Sequence, residues 1–155
     1  MTEPSNWLVH DHRKYDIALD ECEIAAGAGE WKEAITLFRG FLDDLRLHVQ
    51  MEEEVVYPAF EQETGDPHGE IAELREEHED LVRLLRDITV VVRTKDYDHF
   101  LESLVPLHRI MNRHNRHEED IFLRLGNESL LMRREEILSR LRGLERKAGK
   151  RVWDF

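Results

Sequence analysis

Two histidines 36 residues apart, the second followed four residues later by a glutamate, occur twice in this chain: His12, His48 and Glu52, then His78, His114 and Glu118. An acid precedes the first histidine each time, as Asp11-His12 and Glu77-His78. A shift of 66 residues lays one set on the other, and also lays Trp31 on Tyr97, Leu45 on Met111 and Val55 on Ile121. Gly40 falls on Pro106, so each long stretch carries a helix-weakening residue roughly two turns before its His-x-x-x-Glu. Residues four apart differ by only about 40° around an α-helix, so each such pair shares one face. The chain therefore reads as two copies of a helical hairpin, each offering a lone histidine and a His-x-x-x-Glu.

Composition agrees with helices. Of 155 residues, 41% are hydrophobic and 36% charged, with only 8 Gly and 4 Pro, too few turn residues for a sandwich or barrel. Breakers divide the sequence into helical stretches at about 6–26, 30–62, 68–94, 97–125 and 129–148, with Asp96 as N-cap and Gly126 as C′ residue of the fourth. Short connections make neighbouring helices antiparallel, which predicts an all-α, up-down-up-down four-helix bundle with an additional C-terminal helix. Residues 1–126 form the bundle domain and 127–155 a basic amphipathic helix and tail.

The inward stripes follow from the 3–4 spacing. They are Leu8, His12, Tyr15, Leu19 and Cys22; Phe38, Phe41, Leu45, His48, Glu52, Val55, Val56 and Ala59; Ile71, Leu74, His78, Leu81, Leu85 and Ile88; and Leu104, Leu107, Met111, His114, Glu118, Ile121, Phe122 and Leu125. Each stripe is apolar except for four histidines and two glutamates. Six ionisable groups in so small a core are costly unless something pairs them. Imidazole nitrogen and carboxylate oxygen suit iron, manganese or zinc. Two carboxylates can bridge two metals, leaving two imidazoles for each and open positions suited to dioxygen or peroxide chemistry rather than to a closed zinc site. Without metal, Glu52 and Glu118 are two facing buried carboxylates, so one should take up a proton or the core should loosen.

At these residues the chain resembles a known family. His12, the run His48-Val-Gln-Met-Glu52-Glu53-Glu54-Val-Val-Tyr57-Pro58, His78 and the run His114-Asn-Arg-His-Glu118-Glu119-Asp-Ile-Phe122 are similar to the hemerythrin-like, or HHE cation-binding, domain over about residues 7–126. Ferritin-like bundles use Glu-x-x-His instead, and no glutamate lies three before any of the four histidines. The resemblance implies a non-haem centre of two iron ions, with zinc or manganese as substitutes. Its implied ligands are small: oxygen, peroxide or nitric oxide, with sensing of iron or redox state as a further role. Oxygen-carrying hemerythrins use five histidines, two of them four apart on the third helix, whereas the positions four from His78 are Leu74 and Val82. The carry-over is therefore to His12, His48, Glu52, His78, His114 and Glu118, which resembles the bacterial and sensor branches rather than reversible oxygen carriers. The leading expectation is a di-iron protein that binds or senses these ligands. Its alternatives are a peroxidase- or catalase-like oxidoreductase and a structural metal protein.

Other residues have plainer readings. His108 and His117 lie about 80–100° from the stripe centre and are expected on the flank, with a role behind a ligand or as a substitute ligand as their alternative, while His10, His68 and His99 are expected to be solvated. Tyr57, near the lower end of its stripe, is expected as a core residue with a hydrogen bond near the metals as the alternative, Glu53, Glu54, Glu119 and Asp120 as a solvated face, and Cys22 as a small buried hydrophobe. Glu53 or Glu119 is placed to hydrogen-bond a ligand from behind.

The formal charge is −12, with +4 from residue 130 onward and −16 before it, which argues against a nucleic-acid partner. No apolar run approaches the roughly 18 residues that span a membrane. Met1 to Asn6 has no secretory pattern, and Cys22 is the single cysteine, so a reduced, cytoplasmic location is expected. Leu131, Ile137, Leu138, Leu141 and Leu144 form the stripe of the last helix, expected to dock on the bundle with Trp153 and Phe155 as anchors. Its alternative is an interface with a second copy in a homodimer.

Overall fold

The computed structural model describes residues 4–125 and 134–148, with side-chain surroundings from His12 to Arg124 and for most of 135–147. Its elements are α1 (Pro4–Gly27), α2 (Trp31–Met51), a π-helical turn (Glu52–Val56), α3 (Tyr57–Thr64), α4 (Glu70–Arg93), α5 (Tyr97–Leu125) and α6 (Arg134–Ala148). No helix among the described residues is long and apolar enough to cross a membrane. Helix α1 packs on α2 and α5, and α4 packs on α5 and α2. Three-residue links after α1 and α4 force the reversals, giving the expected antiparallel bundle.

The ends are set by local chemistry. Gly29 adopts φ +76°, and Glu30 N–H reaches Ala25 O at 2.9 Å, a Schellman closure that glycine enters at no steric cost. Asp66 accepts hydrogen bonds from Ile71 and Ala72 at 3.0 and 3.2 Å, capping α4. Asp96 accepts from His99 N–H at 3.2 Å, the N-cap expected for α5. Gly126 and the segment 126–133 lie outside the described residues, as do Trp153 and Phe155. Leu8, Leu125, Leu131 and Leu138 lie outside the described side chains.

Every described member of the four inward stripes is buried. The apolar interior is divided in two. One cluster includes Tyr15, Phe38, Phe41, Leu45, Leu81 and Met111. The other includes Met51, Val55, Tyr57, Leu74, Ile121 and Phe122. The six ionisable stripe residues occupy the sequence positions between them. Helix α6 lies against α2, the π turn and α1, and inserts Ile137 and Leu141, each 4% exposed, into the second cluster.

The stretch expected as one helix over 30–62 is continuous but changes winding at Glu52–Val56. Proline explains the change. In an α-helix the Pro58 ring would collide with the carbonyl of Glu54, four residues back, and Pro58 has no N–H to give. Tyr57 N–H reaches back five residues to Glu52 O, the bond of a π turn. Under the 66-residue shift Pro58 falls on Arg124, and α5 runs through Glu118–Phe122 as ordinary α-helix.

A candidate metal centre between the two apolar clusters

Helices α1, α2, α4 and α5 each contribute one histidine, and the glutamates stand one turn beyond His48 and His114. His12, His48, Glu52, His78, His114 and Glu118 are all buried, the two glutamates completely. They form two groups of four, His12, His48, Glu52, Glu118 and Glu52, His78, His114, Glu118, with candidate ligand atoms in each group within 4.8 Å of one another. The two glutamates belong to both groups. Ring centroids are 5.3 Å apart for His12 and His48 and 4.7 Å for His78 and His114.

All four Nε2 atoms face inward. Those of His48 and His78 lie 3.2 Å from Glu52 Oε1, that of His12 3.2 Å from Glu118 Oε1, and that of His114 3.3 Å from Glu118 Oε2. These approaches are close without being satisfied: His12 Nε2, both Glu52 oxygens and Glu118 Oε1 are buried and lack a hydrogen-bond partner in proper geometry. Buried polar atoms are almost always paired, and a converging set of lone pairs without donors is what a bound cation would satisfy. Nitrogen and oxygen donors without sulfur fit a transition metal of intermediate softness.

The outward Nδ1 atoms of His12, His78 and His114 are held by carboxylates. Glu119 meets His12 at 2.9 Å and Glu53 meets His78 at 3.0 Å. Glu53 and Glu119 are 66 residues apart, so the duplication extends to the residues behind the histidines. Glu77 meets His114 at 3.4 Å and His117 at 2.5 Å. A carboxylate on Nδ1 turns the ring and, in the neutral imidazole, leaves Nε2 as the unprotonated nitrogen that a metal requires. His117, expected on the flank, thus braces the carboxylate that orients His114. Its own stripe angle gave no sign of this because Glu77 reaches it from the neighbouring helix. His108 is half-buried outside the two groups, and His68 and His99 are exposed.

Tyr57 is a fully buried core residue and also makes the hydrogen bond at the layer that was its alternative reading. Its hydroxyl donates to Glu118 and lies 3.2 Å from His78 Nε2, and its ring stacks on His78 at 5.4 Å. The π turn explains this placement. In an α-helix Tyr57 would point about 140° from Glu52. A π turn takes roughly 80° per residue, which brings it to about 40°. Proline at position 58 was the available signal.

Without metal, His78 and His114 hold a proton more tightly than a free imidazole does. Burial opposes charge on His114, but Glu118 and Glu77 outweigh it and push its pKa up to about 10. His78 is raised in the same way by Glu52 and Glu53 against its burial. Burial would raise Glu118, yet Glu52 and the His114 and His12 rings hold it well below the usual carboxylate range. Burial and the flanking Glu52 and Glu118 keep the Tyr57 phenol protonated far above its ordinary range. Cys22 is fully buried against Ala34 O, and burial raises its thiol to about 12, consistent with an inert core position.

An open cleft of about 500 Å³ lies beside the centre, with His78, Glu53, Val49, Val82, Arg83 and Arg86 in its walls. Searches of curated proteins and of solved structures gave no match. A family model described as the hemerythrin HHE cation binding domain matches residues 3–125, spanning all four helices that carry the six groups. The chain belongs to the hemerythrin HHE cation-binding family.

Proposed function

We propose that this chain holds two iron ions and uses them to bind or sense oxygen, peroxide, nitric oxide or iron itself. His12 and His48 would serve one ion, His78 and His114 the other, and Glu52 and Glu118 would span both. The observation that carries this reading is the pair of four-residue groups sharing both glutamates, with buried oxygens that no protein donor satisfies. Bound iron would supply redox chemistry and coordination positions open to small ligands. The chain's own part is to orient: Glu119, Glu53 and Glu77 fix the rings of His12, His78 and His114, and the two apolar clusters keep bulk water from the layer.

Peroxidase- or catalase-like turnover at the same residues is a second reading, favoured by Tyr57. Its protonated hydroxyl stands beside His78 Nε2 and Glu118, placed to give a proton to a ligand on that side. Elemental analysis of protein expressed with ample iron tests the first reading. Two iron ions per chain are expected. A reproducible single zinc without iron would overturn it.

A further inference from the structure

The π turn leaves two backbone carbonyls without their ordinary donors. In an α-helix Glu53 O would accept from Tyr57 N–H, which here goes to Glu52 O. Glu54 O would accept from residue 58, which is proline. Two arginines from other helices stand at these two oxygens. Arg75 of α4 places Nη1 3.3 Å from Glu53 O, with its guanidinium carbon 5.4 Å from the centre of the Tyr57 ring. Arg140 of α6 places Nη2 3.2 Å from Glu54 O.

We propose that Arg75 and Arg140 are positioning residues that hold the π winding of Glu52–Val56 and so keep the Tyr57 hydroxyl on Glu118 and His78. Two adjacent carbonyls that have lost their α-helical donors would otherwise depend on water, and Pro58, which excludes the α winding, does not by itself choose the π turn over a frayed one. Charge-assisted donors fix it from two directions. Repeat symmetry supplies the control: at the equivalent turn of α5 the residue matching Tyr57 is Leu123, 80% exposed, while Tyr57 is fully buried. The α5 turn keeps the α winding, and there the matching position faces out. Arg140 also gives α6 a task. Ile137 and Leu141 dock the helix beneath the site, and that docking delivers the guanidinium to Glu54 O. This inference concerns the protein's own side chains and holds whatever occupies the centre.

Tyrosine nitration of the metal-free protein, mapped by peptide mass spectrometry, reads the outcome directly, because the three tyrosines form an internal scale. Tyr97 is 38% exposed and Tyr15 1%. In the wild type only Tyr97 should react readily. Arg140→Ala should raise nitration of Tyr57 by about tenfold through local unwinding, with Tyr15 still protected. Arg140→Lys, which keeps a donor, should restore most of the protection. A further background removes the turn itself: with Glu54 deleted and Pro58→Ala, Tyr57 stands four residues from Glu52 in plain α-helix. There Arg140→Ala should leave Tyr57 protected. Unchanged Tyr57 reactivity in both Arg140→Ala and the Arg75→Ala, Arg140→Ala double variant would overturn the proposal. So would a parallel rise at Tyr15 and Tyr57, which would signal general loosening instead of a released turn.

Discussion

The two halves of the six-residue layer use the same ligand types and are closed by different neighbours. Beside His48 the Tyr15 ring stands edge-on at 5.3 Å, and its hydroxyl donates to Asp44 O at 3.2 Å. Beside His78 the Tyr57 ring lies face-on, and its hydroxyl points into the layer at Glu118. The cleft reaches the His78 side. Duplication therefore fixed the charge and donor count of the centre, while later substitutions set its surroundings. Symmetry of the six groups does not carry symmetry of environment: among the described residues, the Tyr57 hydroxyl faces the layer from the His78 side. The equal openness expected from two histidines per metal needs that refinement.

The strongest way to break the comparison is to remove what the halves share. Glu118→Ala should empty both positions, whereas His114→Ala should leave about one metal per chain, each read by elemental analysis after iron loading. If Glu118→Ala and His114→Ala lose the same amount, the halves are not joined through the carboxylates.

Acidity should separate metal-free from loaded protein next. His78 and His114 bind protons more tightly folded than unfolded, so their stabilisation is complete below about pH 6.5. It is lost as pH rises through the folded value, about 10 for His114. Glu118 acts at the other end, its contribution present above the ordinary carboxylate range and lost as pH falls well below it. The metal-free protein should therefore melt lower at about pH 9 than at about pH 6. Metal competes with those same protons, so metal affinity should rise over that interval. Melting curves of chelated protein and metal titrations at both pH values check the two slopes. Parallel slopes would mean that the imidazoles are not the shared binding groups.

Tyr57→Phe and Tyr15→Phe sharpen the difference between halves. Both should keep their metal. If the second reading of function holds, Tyr57→Phe should slow peroxide consumption by about 10- to 100-fold, as expected for loss of a proton donor, while Tyr15→Phe changes it less than about twofold. Equal effects would refute a one-sided donor.

The smallest expected effect lies away from the layer. Gly40 is exposed within α2, and a Cβ there would meet nothing within 4 Å. Gly40→Ala should raise unfolding stability by about 0.5–1 kcal/mol in denaturant titration, without touching either half.

Much of this was legible in sequence because helical periodicity and duplication act locally. His12, His48, Glu52, His78, His114 and Glu118 fell on stripes that all prove buried, since a helix carries residues four apart to one face whatever lies opposite. Glu53 and Glu119 could be marked as candidates behind a ligand, but their partners, His78 and His12, lie on other helices. Glu77 with His117 was hidden for the same reason: which flank of α4 meets which flank of α5 depends on packing rotation, which periodicity does not encode. The hydrogen bond of Tyr57 stayed the weaker of its two readings because the 100° count assumes one winding throughout, and Pro58 breaks that assumption locally. The docking of α6 followed from its apolar stripe, while the Arg140 contact required the orientation of the docked helix.

The division of the apolar interior has a thermodynamic consequence of its own. Tyr15, Phe38 and Leu85 melt with one cluster; Met51, Ile71 and Phe122 with the other. Hydrophobic contact transmits cooperativity only where side chains touch, and between these clusters stands a layer of ionisable groups. Bound cations would weld that layer, so heat should unfold the loaded bundle as one calorimetric unit. Stripped of them, the same chain should show a calorimetric enthalpy larger than the van't Hoff value, the mark of two segments that no longer melt as one.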